Sequence, residues 1–385
     1  MRAKKLEDGF DIHRQDMAQK KKFRAVYAFH PGTTLREKLD EMGMSVKEFA
    51  VRTSKPEKTI NAVLMGDSSL TPDMAVAFER ITMIPAHMWL NLQRNYDEYK
   101  ARQKWEAILN DADTVAWAKC FPYPVMAKLG WVPATRILSE KITNLLSFFK
   151  ITSANAWTNL FMNQALKSEF RLSLSGTKNP YAISAWLRQG EILADNMSTN
   201  NSYSAERLKV ELPRMLKLSQ LQPDDFDAQL KELCSNAGVK LIYISHITHV
   251  PVNGCARWID NAPCVLMTDC QKSNDVFWFS FFHEIGHILL HGKKDVFLED
   301  MEFQNQQRDK ELEADRFASD ILLDKKKEQA IIREMQGRNI QADLIQDLAE
   351  RYQTHPAIIV GHLQQLQLLP HDSTLNSLKI LVRLH

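Results

Sequence analysis

Cysteine is scarce in this chain, and what little there is argues against a secreted scaffold. The five residues Cys120, Cys234, Cys255, Cys264 and Cys270 are odd in number and contain no C-x-x-C pair, so they read as free thiols in a reducing cytosol. Charge of one sign is lacking too: a formal net charge of +2 provides no global attraction to nucleic acid, and any DNA contact must come from a local patch. The chain has no apolar run near the roughly 18 residues that span a bilayer, its most hydrophobic stretch being Val276 to Phe282. Met1 to Asp8 carries charges with no apolar core behind them, which excludes a secretory signal, and a cytoplasmic protein with no membrane contact is expected. No repeat at a solenoid period is present. The remainder is ordinary for a globular protein, with 44% hydrophobic and 25% charged residues, and 385 residues suggest two or three domains. Residues 1–29, with the run Lys20-Lys21-Lys22-Phe23-Arg24, read as a flexible, solvated basic arm.

From His30 the sequence becomes patterned. Thr33 or Thr34 can cap a helix carrying Leu35 and Leu39 that ends near Gly43. Ser45 followed by Glu48 forms a capping box for a helix over Val46 to Arg52. Pro56 suits the first turn of a third helix with Ile60, Val63 and Leu64 at helical spacing up to Gly66. Leu70-Thr71-Pro72 opens another helix running to Ile81, and Trp89 to Asp97 follows. This helix-turn-helix pattern, with its opening His30-Pro31-Gly32 and closing Trp89-Leu90-Asn91-Leu92-Gln93, resembles the HigA-like branch of the XRE-type family over residues 30–97. The resemblance implies a third helix in the DNA major groove presenting Lys55, Glu57, Lys58 and Asn61, and a possible homodimer. Two residues depart from the pattern: Ser54 replaces a common turn glycine, and Ala62 stands where a basic residue often contacts DNA. A domain of residues 30–104 that serves dimerisation or partner docking is the alternative. Residues 105–225 are helix-compatible with scattered aromatics and no chemical motif, a linker or sensor region.

The chemistry concentrates in Phe282-His283-Glu284-Ile285-Gly286-His287, an H-E-x-x-H motif in an apolar, helix-compatible run. Residues four apart share a helix face, so His283 and His287 can offer both imidazoles to one ion. Glu284, turned by about 100°, can reach a metal-activated water without ligating. A catalytic zinc needs three protein ligands and one open position. His291 lies about 12 Å along an ideal helix from His283, too far to share its ion, and more naturally hydrogen-bonds near the helix end at Gly292. The longer metzincin pattern fails because Leu290 occupies its glycine position. Downstream, Ala314, Phe317, Ala318, Ile321 and Leu322 mark the buried stripe of a second helix. Glu311 and Asp315 fall within that stripe's arc, whereas Glu313 projects to roughly the opposite side. Carboxylates facing a core are costly unless paired or metal-bound, which suggests Glu311 as third ligand and Asp315 as acceptor for a ligating histidine N–H. An ion pair with Arg308 or Arg316 is the structural alternative.

Val239 to Ile244 and Cys264 to Thr268 read as strands of a small sheet on which the metal helix packs, and an exposed edge there could align an extended peptide. Trp278-Phe279, the segment Phe282 to Gly292, Glu311-x-Glu313-Ala314-x-x-Phe317-Ala318 and the approach Gly254 to Trp258 together resemble the ImmA/IrrE family of gluzincin-type zinc metallopeptidases over residues 226–324. Leu348-Ala349 and Ile358 to Gln364 look like the helical element that often follows that core, within a helical, helix-turn-helix-like region 325–385. The expected fold is α+β and mostly helical: a helix-turn-helix bundle, a helical middle and a zincin-like core of a small β-sheet plus helices. The resemblance implies Zn2+ on His283, His287 and Glu311, with Glu284 as general base, and a helix-turn-helix repressor as protein substrate. Tyr243, Tyr352, Arg257 and other histidines are candidates for stabilising the oxyanion. Competing readings are an antitoxin-like regulator, bound to a cognate toxin, whose metal domain senses or docks without cleaving, and a general zinc peptidase.

Overall fold

A computed structural model describes residues 28–162, 179–247, 250, 252–259, 261–268, 273–291, 297–298, 305–336, 338 and 340–384. The basic arm, apart from residues 28 and 29, lies outside them, as do Cys270 and Gly292. The chain divides into two compact units, Met1–Asn110 and Asp111–His385.

The first unit consists of helices α1 (Pro31–Glu41), α2 (Val46–Arg52), α3 (Glu57–Met65), α4 (Pro72–Thr82) and α5 (Ala86–Leu109). The first helix starts earlier than the threonines suggest: His30 is its N-cap, with Nδ1 accepting from the Gly32 N–H at 3.0 Å, because Pro31 needs no amide partner in the first turn. Ser45 caps α2 by accepting from the Glu48 N–H, one half of the expected capping box, while the Glu48 carboxylate accepts from Arg52 Nε at 2.9 Å. Leu35, Leu39, Phe49, Ile60, Val63, Phe78 and Trp89 form the shared core, with Phe49 against Phe78 and Phe78 against Trp89 edge-to-face. The α2–α3 turn runs through Ser54 at φ +53°, which explains why glycine is common in such turns and shows that serine bears the strain here.

The second unit opens with α6 (Ala112–Lys119), α7 (Tyr123–Lys128), α8 (Leu138–Phe149), α9 (Ala154–Phe161), α10 (Pro180–Asp195), α11 (Ala205–Leu221) and α12 (Phe226–Ala237). Next come β1 (Lys240–Ile244), β2 (Gly254–Ile259), β3 (Ala262–Thr268), α13 (Asn274–Leu290), β4 (Phe297–Leu298) and α14 (Asn305–Leu322). It ends with α15 (Lys325–Met335), α16 (Ala342–Tyr352), α17 (Pro356–Gln365) and a short 3-10 helix, Thr374–Leu378. Among the described residues no helix is long and apolar enough to cross a membrane. The fold is α+β and mostly helical.

The sheet order is β1-β3-β2-β4, with β1 parallel to β3 and β2 antiparallel to both β3 and β4. Strand alternation sends its side chains to two cores. Leu241, Ala256, Val265 and Met267 meet Phe277, Trp278, Phe281, Phe282, Ile285 and Ile288 of α13. Ile242, Ile244, Cys255, Cys264 and Leu266 meet Ala182, Ile183, Trp186 and Leu187 of α10. Helix α10 falls within the segment read from sequence as a linker or sensor, yet it packs on one face of the sheet against β1, β2 and β3. Its apolar residues hold a tertiary surface, and no local pattern distinguishes that from a helix in a spacer. At the other end, the Asn274 N–H donates to the Ile380 carbonyl at 2.8 Å and the Asn274 side-chain oxygen accepts from the Ile380 N–H at 3.1 Å, tying the C-terminal segment to the start of α13.

Candidate metal centre

Helices α13 and α14 pack together closely, and Gly286 is where they approach: a Cβ there would stand 3.0 Å from Phe317 Cδ1 and 3.3 Å from Ala314 Cα. Ala314 and Ala318, both fully buried, present the matching small surface. This packing brings one turn of α14 against the histidines of α13. His283, Glu284 and His287 are almost completely buried, at 2%, 0% and 2% exposure.

The atoms converge. His283 Nε2 lies 2.9 Å from His287 Nε2 and 3.1 Å from Glu311 Oε2, and His287 Nε2 is 3.5 Å from the same oxygen. The outer nitrogen of His283, Nδ1, is 2.9 Å from Asp315 Oδ1. A carboxylate can only accept, so Nδ1 carries a hydrogen, and in the neutral form of the ring Nε2 presents its lone pair inward. Three electron-rich atoms facing one point repel each other unless a positive species, a proton or a metal ion, lies among them. Ligands about 2.0–2.1 Å from a tetrahedral zinc would be about 3.3 Å apart, and the observed separations of 2.9 to 3.5 Å bracket that spacing. The donor set of two imidazoles and a carboxylate therefore fits a zinc ion with a fourth position open.

Electrostatics keep these groups in ligating form. Burial lowers the His287 pKa to about 4 against the opposing pull of Glu311, so the ring is neutral near pH 7. Burial alone would raise Glu311, but the His283 and His287 rings beside it outweigh that and hold its carboxyl down at about 2. Its Oε1 is buried with no hydrogen-bond partner among the described residues, which leaves a lone pair for a cation. Arg308 and Arg316 are not needed to explain either carboxylate, because Glu311 and Asp315 face the histidines.

Glu284 sits beside strand β2. A Cβ added at Gly254 would stand 2.8 Å from both Cγ and Oε1 of Glu284, so only glycine lets the strand pass this close to the carboxylate. Gly254, which the sequence pattern puts ahead of the sheet, is the first residue of β2, a strand that apolar alternation does not announce because Arg257 interrupts it. Gly254→Ala is expected to push the Glu284 carboxylate aside and lower any turnover about 10²-fold, with bound metal unchanged. Parallel turnover and metal-content measurements check this, and an unaltered rate would show that Glu284 does not depend on the strand.

Several residues named from sequence lie elsewhere. Arg257 is on the sheet face away from α13, with its guanidinium 2.8 Å from Glu191 Oε1 of α10. The Tyr352 hydroxyl donates to Glu334 Oε1 at 2.6 Å, and Tyr243 packs under Lys231 and near Phe277. None of these three contacts draws its residue to the ligand cluster. Glu313 is the reverse case. It is exposed as the helical wheel suggests, yet Oε2 reaches His291 Nε2 at 3.1 Å, and His291 Nδ1 lies 3.0 Å from His287 Nδ1. The only sequence signal for this contact is the third histidine at i+4 from His287.

In the first unit, Glu57, Lys58 and Asn61 lie on the exposed side of α3 together with Met65, while Lys55 is half-buried and pairs with Asp73. Glu57, Lys58 and Asn61 thus lie on an exposed helix side, while Lys55, ahead of the helix, is engaged by Asp73 of α4.

Residues 240–360 match the family model described as the IrrE N-terminal-like domain, a peptidase family. Over 73 residues the chain is 34% identical to the uncharacterised HTH-type transcriptional regulator YddM of Escherichia coli, a match covering 19% of this chain and 78% of that protein. Among solved structures, a HigA-family addiction module antidote protein from Coxiella burnetii is 32% identical, covering 20% of this chain and 87% of that one, with a TM-score of 0.20. The Pseudomonas aeruginosa antitoxin HigA with its higBA promoter is 29% identical over 20% of this chain and 86% of that one, also with a TM-score of 0.20.

Proposed function

Because this chain belongs to the HTH-type transcriptional regulators through its amino-terminal domain and carries an IrrE N-terminal-like peptidase domain, we propose that it is a zinc-dependent endopeptidase acting in gene regulation. The observation that carries this reading is the convergence of His283 Nε2, His287 Nε2 and Glu311 Oε2 beside the buried Glu284. His283, His287 and Glu311 would hold the ion, and Asp315 fixes the His283 ring by accepting its Nδ1 proton. Bound zinc supplies Lewis-acid polarisation of a scissile carbonyl and acidifies water toward a pKa of about 7. Glu284 then serves as the proton carrier, taking a proton from the attacking water and delivering it to the leaving amine. Its burial helps, since a water-poor setting strengthens each electrostatic contact with the reacting atoms.

The substrate we infer is a helix-turn-helix repressor, and the amino-terminal domain directs the peptidase to regulated DNA or to its partner there. The exposed side of α3 supports DNA contact, with Lys58 as a phosphate or base-edge ligand and Asn61 as a base-edge ligand. Lys58→Ala is expected to weaken DNA binding and, if Lys58 contacts phosphate, to reduce the slope of log K against log salt by about 1. Binding isotherms at several salt concentrations measure it, and identical affinity and slope would remove Lys58 from the interface. The test of the whole reading is incubation of zinc-loaded full chain with purified helix-turn-helix repressors, mapping fragments by mass. Cleavage at one bond of one repressor is the expected result. Digestion of unrelated peptides would indicate a general peptidase, and intact substrates throughout would leave a metal-bound regulator that docks without cleaving.

A further inference from the structure

Helix α13 carries a third histidine for which the ligand cluster has no use. His291 is the C-cap residue of the helix, its side chain only 3% exposed, and it stands between His287 and Glu313. Its Nε2 is 3.1 Å from Glu313 Oε2, and its Nδ1 is 3.0 Å from His287 Nδ1. The carboxylate at the end of this row can only accept, which fixes the hydrogen nearest to it. Glu313 accepts, so His291 Nε2 carries a hydrogen; with Nε2 of His287 turned to a metal ion, the His287 hydrogen would sit on Nδ1 and be donated to His291 Nδ1. That leaves the His287 Nε2 lone pair on the same point as those of His283 and Glu311.

From this geometry we infer that Glu313 and His291 are positioning residues, a two-residue relay that fixes the tautomer and ring orientation of His287 for metal binding. The inference rests on the metal site proposed above. The two ligand histidines are then held by unequal means: His283 touches a carboxylate directly through Asp315, whereas His287 reaches one through a second imidazole. Both carboxylates come from α14, two residues apart, on either side of the buried Ala314. One close helix–helix contact therefore supplies a ligand and both orienting groups.

The experiment measures zinc affinity of the full chain by chelator competition, with the absorption spectrum of the cobalt-loaded protein as a second readout. His291→Leu is expected to weaken zinc binding about 10- to 100-fold and to alter the cobalt spectrum. Glu313→Ala should fall near the lower end, about 10-fold, since Glu313 is 58% exposed and water can partly replace its carboxylate. His291→Gln should restore most of the affinity, because its amide oxygen can accept from His287 while its N–H donates to Glu313. Should His291→Leu fail to fold, Glu313→Ala decides alone, since an exposed side chain is not needed for folding. Zinc affinities within about twofold of the parent for both His291→Leu and Glu313→Ala would overturn the relay. Equal losses for His291→Leu and His291→Gln would also overturn it, pointing to packing. If the parent itself binds no zinc, the metal site falls and the relay with it; if the parent binds and the variants match it, the relay alone fails.

Discussion

Glu284→Gln is expected to keep stoichiometric zinc and to lose about 10²–10⁴-fold in turnover. The substitution is nearly isosteric, so it removes the basic oxygen without emptying the space beside Gly254. Glu284 is not among the three grouped ligand atoms, which belong to His283, His287 and Glu311, so metal content should not change. The carboxylate is fully buried next to them, and an amide there can neither take nor return a proton. Zinc analysis and cleavage rate on the same preparation make the comparison. Turnover near that of the parent would remove Glu284 from the chemistry, whereas loss of both zinc and turnover would recast it as a structural member of the site.

His283→Ala should have the opposite signature. It removes the Nε2 that lies 2.9 Å from His287 and 3.1 Å from Glu311, and it takes away the partner of Asp315 Oδ1. Two ligands remain, and zinc affinity should drop by more than the about 100-fold that an outer orienting group can cost. Zinc-linked stability offers a direct measure. At free zinc about 100 times its Kd the parent should gain about 2.7 kcal/mol, visible as a raised Tm, and His283→Ala should gain less than about 0.4 kcal/mol at that concentration. A variant that melts higher with zinc, as the parent does, would mean that the ion sits elsewhere.

The two substitutions separate roles that share one short motif. H-E-x-x-H was readable because helical periodicity is local: a spacing of four puts both histidines on one face whatever surrounds them. The same argument made Glu311 and Asp315 suspect, since carboxylates in the arc of Ala314 and Ala318 demand compensation. It places Glu313 on the exposed side, where it lies, but does not give its partner. A helical wheel gives the direction in which a side chain leaves its helix, and a glutamate on the far margin can still turn back to a neighbour, here His291 at 3.1 Å. Strand β2 was missed as a strand for a related reason. Gly254-Cys255-Ala256-Arg257-Trp258-Ile259 lacks clean alternation because Arg257 is buried on the α10 face, paired with Glu191.

By itself, then, the sequence determined the composition class, a helix-turn-helix pattern between His30 and Asp97, and a pair of helices bearing two histidines and two carboxylates, because capping, periodicity and charge are properties of neighbouring residues. Only the tertiary structure decided that α10 packs on one face of the sheet, that Gly254 lies against Glu284, and that lone pairs from residues 28 positions apart meet at one point. Those relations depend on how closely α13 and α14 approach at Gly286 and Ala314, and that distance is set by packing between segments remote in sequence, which no local pattern encodes.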